Sequence, residues 1–208
     1  LQAAHALEVE RGRIARDMHD HLGASLTRIT LLSELVRREA HSPLQAQARA
    51  GELSESARQL ARTLDEIVWA VNPQKDTLDH LLSYLSAHAE EFLTATNIHC
   101  RLDFPANPPA IRLPAEMRHN LFLVAKEALN NVVKHSGATE VWLRLSIEDS
   151  ILILTVKDNG RGFGPDDVSA ERNGLSNMRR RVETLGGEFT VSSRTGAGTT
   201  ISARVRID

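Results

Sequence analysis

Apolar side chains recur at spacings of three and four along the first part of the chain, at Ile14, Met18, Leu22, Leu26, Ile29, Leu32 and Val36. At 100° per residue they fall within a stripe about 120° wide, which predicts a helix from Leu1 to about Glu39. The stretch Ala40 to Pro43, reading AHSP, breaks it. A second helix is predicted from about Gln45 to Val71, where Leu53, Ala57, Leu60, Leu64, Ile67 and Val71 alternate in the four-three spacing of a coiled-coil seam. Two such helices joined by a short turn make an antiparallel hairpin, which cannot bury both stripes alone. A homodimer that closes a four-helix bundle can.

Asn72-Pro73 ends the second helix, because proline disfavours helical geometry in the residue before it. Beyond it a helix is predicted from about Leu78 to Thr94, then a short strand in IHCRLDF, a proline-rich loop, PANPPAIRLP, and a long helix from about Pro114 to Lys134. The period then switches to two in TEVWLRLSIED and SILILTVKDN, the second a nearly continuous apolar run suited to a core strand. A polar loop, GPDDVSAERN, leads to a helix from about Gly174 to Leu185, a Gly186-Gly187 stop, and strands in EFTVSSR and TTISARVRI. The expected architecture is an all-α hairpin over residues 1–73, followed by an α+β two-layer sandwich over residues 78–208.

Composition narrows the function. With 41% hydrophobic and 25% charged residues the 208-residue chain reads as globular, and a net charge of −2 speaks against a general nucleic-acid binder. The single cysteine, Cys100, permits neither an internal disulfide nor a multi-cysteine zinc site and suits a reducing, cytoplasmic compartment. No apolar run approaches a membrane span, and the start LQAAHALEVERGR lacks the apolar core of a signal peptide. That start is already helical in character, so the chain is expected to be a fragment of something longer, with any membrane attachment in segments outside it.

Three clusters in the second domain carry candidate chemistry. In KEALNNVVKHSGA, Glu127, Asn131, Lys134 and His135 are spaced to share a helix face, which taken alone is better read as a solvated polar surface. In DNGRGFG, Asp158 ends an apolar strand and is followed by Gly160 and Gly162; alone, this is also a hairpin turn. Gly196-Ala197-Gly198-Thr199 makes a second tight turn before the last strand. In combination, a strand-end carboxylate can accept a hydrogen bond from an exocyclic amine, glycines let backbone amides approach phosphates, and a side-chain amide can join a magnesium shell.

These three motifs, in this order, resemble the N, G1 and G2 boxes of the Bergerat-type ATP-binding fold found in histidine kinases, type II topoisomerases, Hsp90-like chaperones and anti-sigma kinases. NGLSNMRRRVETLGGEF resembles the helix after the ATP lid in histidine kinases of the nitrate-sensor and membrane-thermosensor class (NarX and DesK types). The resemblance implies that Asp158 binds the adenine amino group and that Asn131 ligates magnesium bridging the phosphates, supported by Glu127. It places Lys134 and His135 near the phosphates. Gly160 and Gly162 would hinge the lid, Gly174 would end it beside Leu175, and Gly196, Gly198 and Thr199 would line the base side. ATP and Mg2+ are the implied ligands.

The opening helix extends the resemblance, since ERGRIARDMHDHLGASLTRITLL is similar to the phosphoacceptor box of the same class and places His19 at the acceptor position. Periodicity puts His19 about 80° from the centre of the apolar stripe, held at the seam edge yet accessible, with His21 at the opposite edge and Asp20 pointing away. The implied reaction is autophosphorylation of His19, with Asp20 as general base, followed by transfer to an aspartate on the receiver domain of a response regulator. In this class the position four residues after the acid commonly carries Gln to orient a water for dephosphorylation. Here it is Ala24, which predicts weak or absent phosphatase activity unless Thr27 or His21 substitutes. Two rival readings are an ATP hydrolase in which Glu127 activates water, and a catalytically inactive dimeric scaffold. Trp69 and Trp142 read as packing residues.

Overall fold

The computed structural model describes residues 22–39, 41–164 and 172–207. The chain divides into two compact units, Leu1–Gln74 and Lys75–Asp208. His19 and Asp20 lie outside the described residues, as does most of the polar loop before Gly174.

In the first unit, helix α1 is described over residues 22–38 and helix α2 spans Pro43–Val71. α2 begins two residues earlier than its apolar pattern implied because Pro43 occupies the first turn, where its missing N–H satisfies no intrahelical bond anyway. Along its seam Leu53, Leu60 and Ile67 are half-buried, whereas Ala57 and Leu64 are exposed. Leu32 of α1 is buried, but Leu26 is 54%, Leu64 44% and Val68 62% exposed. One side of each stripe is therefore covered and the other left bare.

The second unit is a five-stranded sheet backed on one face by helices. Helix α3, Leu78–Thr94, opens with Thr77 accepting a hydrogen bond from the His80 amide and buries Leu78, Leu81, Leu82, Leu85, Ala89 and Leu93 on one stripe. Strand β1, His99–Asp103, precedes helix α4, Ala115–Asn131, which passes directly into a π-helical turn, Val132–Ser136, closed by Gly137 at φ +62°. Then follow β2, Glu140–Glu148; β3, Ile151–Asp158; helix α5, Arg172–Thr184; β4, Glu188–Ser193; and β5, Thr199–Arg206. The order across the sheet is β1-β2-β3-β5-β4, with β1 parallel to β2 and every other pair antiparallel.

Strand alternation sets what reaches the core. Val141, Leu143 and Leu145 stand opposite Asp158, Val156 and Leu154, and Leu154 and Val156 in turn face Ala203 and Ile201. All of these are buried, so the inward row of β3 runs Leu152, Leu154, Val156 and ends on a carboxylate, Asp158. The opposite face is polar. It carries ion pairs between Arg101 and Glu140 and between Arg144 and Asp103, and it places the Lys157 ammonium 5.6 Å from the Trp142 ring centre. Trp142 is thus half-buried on the outer face rather than in the core, while Trp69 is buried.

The entry to this unit is fixed by a buried ion pair that hydrophobic periodicity does not reveal. Arg118 on α4 is fully buried and donates to Asp76 Oδ1 at 2.7 Å. The Leu113 amide donates to the Asp76 carbonyl and the Leu78 amide to the Ile111 carbonyl, so the start of α3 is tied to the proline-rich loop at both ends. Removing one partner of such a pair strands a buried charge. Arg118→Ala is expected to lower the unfolding free energy of the chain by about 3–5 kcal/mol, read as a reduced urea midpoint. A loss under about 1 kcal/mol would show that the pair is not integral to the fold.

Candidate functional site

The inward end of β3, the C-terminus of α4, the first turn of α5 and the β4–β5 turn surround a cavity of about 380 Å3. Apolar side chains of Ala128, Val132, Val156, Leu175 and Ile201 form much of its wall. Asn131, His135, Asp158, Arg161 and Thr199 supply polar groups. A largely apolar cavity with a few convergent polar groups is what a flat ring carrying polar edges requires.

Asp158 anchors one end. It is 4% exposed, and burial raises its carboxyl above the ordinary value, opposed by hydrogen bonds from the Gly160 and Thr199 amides. The Gly160 N to Asp158 Oδ1 distance is 2.8 Å. Asn159 faces the other way and locks the turn, its Oδ1 accepting from the Thr139 and Glu140 amides at 3.0 Å each. Asp-Asn-Gly is therefore not a hairpin turn: β3 pairs with β2 and β5, and the chain leaves it toward α5.

The glycines are required by close approach. A Cβ on Gly160 would lie 2.4 Å from the Ser136 carbonyl, and one on Gly198, at φ +76°, would lie 2.0 Å from the Asp158 carbonyl. Gly162 sits at φ +60° against the Arg194 and Gly198 carbonyls. Gly196, at φ +79°, donates its amide to the Arg161 carbonyl at 2.6 Å, while the Arg161 amide donates to the Ser136 carbonyl at 2.8 Å. The Gly196–Gly198 turn is a β4–β5 hairpin as well as a wall of the site, so its two readings are compatible.

On the helix side, Gly174 and Leu175 lie in the first turn of α5. A Cβ on Gly174 would stand 2.6 Å from Glu127 Oε1 and 3.7 Å from Asn131 Nδ2, which places the glycine directly against both. Lys134 does not share their face. It is exposed and absent from the cavity wall, whereas His135 lines it, because the π turn after Asn131 advances the register beyond α-helical spacing. Sequence reasoning passed over Ser136, Arg161, Phe163 and Thr195, which also line the cavity. Arg161 and Phe163 lie within the DNGRGFG motif, and Ser136 had a local signal as the residue before a helix-ending glycine; its Oγ donates to the Val132 carbonyl and accepts from the Ala138 amide.

This fold and site define an ATPase domain of the Bergerat type: residues 117–208 match the family described as Histidine kinase-, DNA gyrase B-, and HSP90-like ATPase, which binds ATP. Residues 10–76 match the family described as Histidine kinase. The chain carries both of these domains and is homologous to sensor histidine kinases, its first domain being of the nitrate-sensor and thermosensor class. It is 34% identical over 206 residues to the sensor histidine kinase LiaS of Bacillus subtilis, covering 95% of this chain and 54% of that protein. It is 28% identical over 204 residues to the sensor protein VraS of Staphylococcus saprophyticus, covering 97% and 57%. The chain thus spans about half the length of the curated relatives it matches. Among solved structures it is similar to full-length ShkA in complex with AMPPNP, with TM-score 0.62 at 16% identity over 95% of this chain and 46% of that one. It is also similar to the histidine kinase domain of the Erythrobacter litoralis EL346 blue-light activated kinase, with TM-score 0.56 at 21% identity over 87% and 94%.

A carboxyl whose folded pKa is raised withdraws stability as pH climbs through that pKa, and withdraws none below its unfolded value of about 3.8. Asp158→Asn removes the charge and keeps one carbonyl oxygen as acceptor for the Gly160 amide. It is expected to leave the chain at least as stable as the parent at pH 7, with any gain vanishing as pH falls toward 3.8. ATP affinity should drop by roughly 10- to 100-fold, the loss of one charge-assisted hydrogen bond. Thermal melts across pH and equilibrium ATP binding check the two halves separately.

Proposed function

We propose that this chain is the catalytic core of a two-component sensor kinase that phosphorylates its own His19 from ATP and passes the phosphoryl group to an aspartate of a response-regulator receiver domain. The observation that carries this reading is the cavity ending on the buried Asp158 carboxylate, in a chain whose residues 10–76 match the Histidine kinase family. Asp158 accepts from the adenine amine. Asn131 holds magnesium with Glu127 beside it, a donor set of one or two side-chain oxygens suited to a cation that keeps phosphates and waters as its other ligands. Among the described residues no group of three or more His, Cys, Asp or Glu forms a cage of its own. Magnesium supplies neutralisation of charge on the phosphates.

The unprotonated ring nitrogen of His19 attacks the γ-phosphorus in line, the N–P bond forms as the bond to the bridging oxygen breaks, and ADP leaves. Asp20 takes the proton from the other ring nitrogen. His135, on the cavity wall, offers a ring nitrogen to the phosphates, and the exposed ammonium of Lys134, outside the wall on the same turn, adds positive potential. Gly160 and Gly162 let the lid pivot, Gly174 ends it, and Gly196, Gly198 and Thr199 wall the base end. A homodimer covers the bare apolar sides of α1 and α2, where Leu26, Leu64 and Val68 are exposed. No helix among the described residues is long and apolar enough to cross a membrane. The chain spans about half of LiaS and VraS and is, on this reading, the cytoplasmic part of a longer sensor.

Incubation with ATP labelled at the γ-phosphate is expected to give an acid-labile, base-stable protein label that His19→Gln abolishes. ATP turnover without protein label would instead support the hydrolase, and absence of ATP binding the scaffold. Ala24 is exposed on α1 and has no group with which to orient a water. With phosphorylated regulator as substrate, the parent chain is expected to dephosphorylate it slowly and Ala24→Gln faster; rapid hydrolysis by the parent, unchanged by the substitution, would overturn this.

A further inference from the structure

Three polar groups meet at Ser193, the last residue of β4, to which neither the sequence motifs nor the site above assigns a role. Its Oγ accepts from the Phe163 amide at 2.9 Å and lies 3.2 Å from the Gly198 carbonyl and 3.0 Å from Thr199 Oγ1. A hydroxyl carries one proton and two acceptor sites. The Gly198 carbonyl can only accept, so the Ser193 proton goes there. The Thr199 hydroxyl must then donate its own proton to Ser193, and the serine is saturated with two bonds accepted and one donated. What Thr199 Oγ1 has left for a ligand is lone pairs.

Thr199 and Phe163 both line the cavity, and the Thr199 amide also donates to the Asp158 carboxylate. Phe163 stands immediately after Gly162, where the chain departs toward α5. One hydroxyl thereby ties the root of that departing loop to the residue beside the base-binding acid. We propose that Ser193 is a positioning residue for nucleotide selection: by consuming the Thr199 proton it turns the base end of the cavity into a pair of acceptors, Thr199 Oγ1 and Asp158, that favours a 6-amino purine over a 6-oxo purine. The inference rests on the nucleotide-binding role proposed for Asp158 and adds the residue that sets the polarity of its neighbour. Without Ser193, Thr199 is free to rotate and donate, and a 6-oxo group is no longer met only by acceptors.

The test compares equilibrium binding of ATP and inosine triphosphate, which differ at the 6 position and the adjoining ring nitrogen, in the parent chain and in Ser193→Ala, Ser193→Thr and Thr199→Val. The ratio of the two dissociation constants is expected to favour ATP in the parent and to fall about 3- to 10-fold in Ser193→Ala, the scale of one hydrogen bond. Ser193→Thr restores it, because the hydroxyl returns. Thr199→Val lowers it similarly, and the double variant with Ser193→Ala falls no further, since both remove one shared device. An unchanged ratio in Ser193→Ala overturns the proposal while leaving ATP binding at this site intact. Should that variant not fold, an unchanged ratio in Thr199→Val overturns it. A parent chain that binds neither nucleotide overturns the nucleotide reading itself, and this proposal with it.

Discussion

A carboxylate carried into the interior by strand alternation is the constraint around which the C-terminal unit is arranged. Asp158 sits at the end of the inward row Leu152, Leu154, Val156, so the same period of two that builds the core delivers a charge to its edge. Burial disfavours that charge, and two backbone amides, from Gly160 and Thr199, are brought in to oppose the penalty. Bringing them in demands glycine. Only a residue without Cβ lets Gly198 pass at the Asp158 carbonyl and Gly160 at the Ser136 carbonyl. The site's glycines and its acid are one solution to one packing problem.

The same contacts define the edge at which the chain leaves β3. Arg161 is bonded through its amide to Ser136 and through its carbonyl to Gly196, and Phe163 through its amide to Ser193. The chain is thus stapled to the end of α4 on one side and to the β4–β5 hairpin on the other before it leaves toward α5. Helix α4 then runs as a single element from the buried Arg118–Asp76 pair to Asn131, joining the entry of the unit to the polar end of the cavity.

The two units solve burial differently. The C-terminal unit closes a core between its sheet and α3, α4 and α5, and its outer sheet face is polar, with ion pairs and a cation over Trp142. The helical unit leaves apolar residues bare on both helices. That contrast is what divides a self-sufficient nucleotide-binding module from one whose stripe calls for another helical surface.

Periodicity alone placed the elements well: α3 was expected from Leu78 to Thr94 and lies there, and the strands beginning near Glu140 and Ile151 were marked by their alternation. The motif order around Asn131, Asp158 and Gly198 likewise pointed to the ATPase fold, because glycines and a strand-end acid are local requirements that a linear sequence records. What sequence reading missed were the long-range relations. Asp76 and Arg118 are 42 residues apart and look like surface charges until folding buries both. Lys134 was aligned with Asn131 on an α-helical face, and a π turn moved it out while keeping His135 in. Ser193 carries no motif of its own, and its importance arises only where β4, β5 and the segment after β3 converge on one hydroxyl. Local conformational preference and hydrophobic period are written residue by residue, so the chain alone specified its elements and its glycine boxes. Charge pairing, helix register and hydroxyl polarity depend on which distant groups come within 3 Å, and that was settled only when the sheet and helices packed.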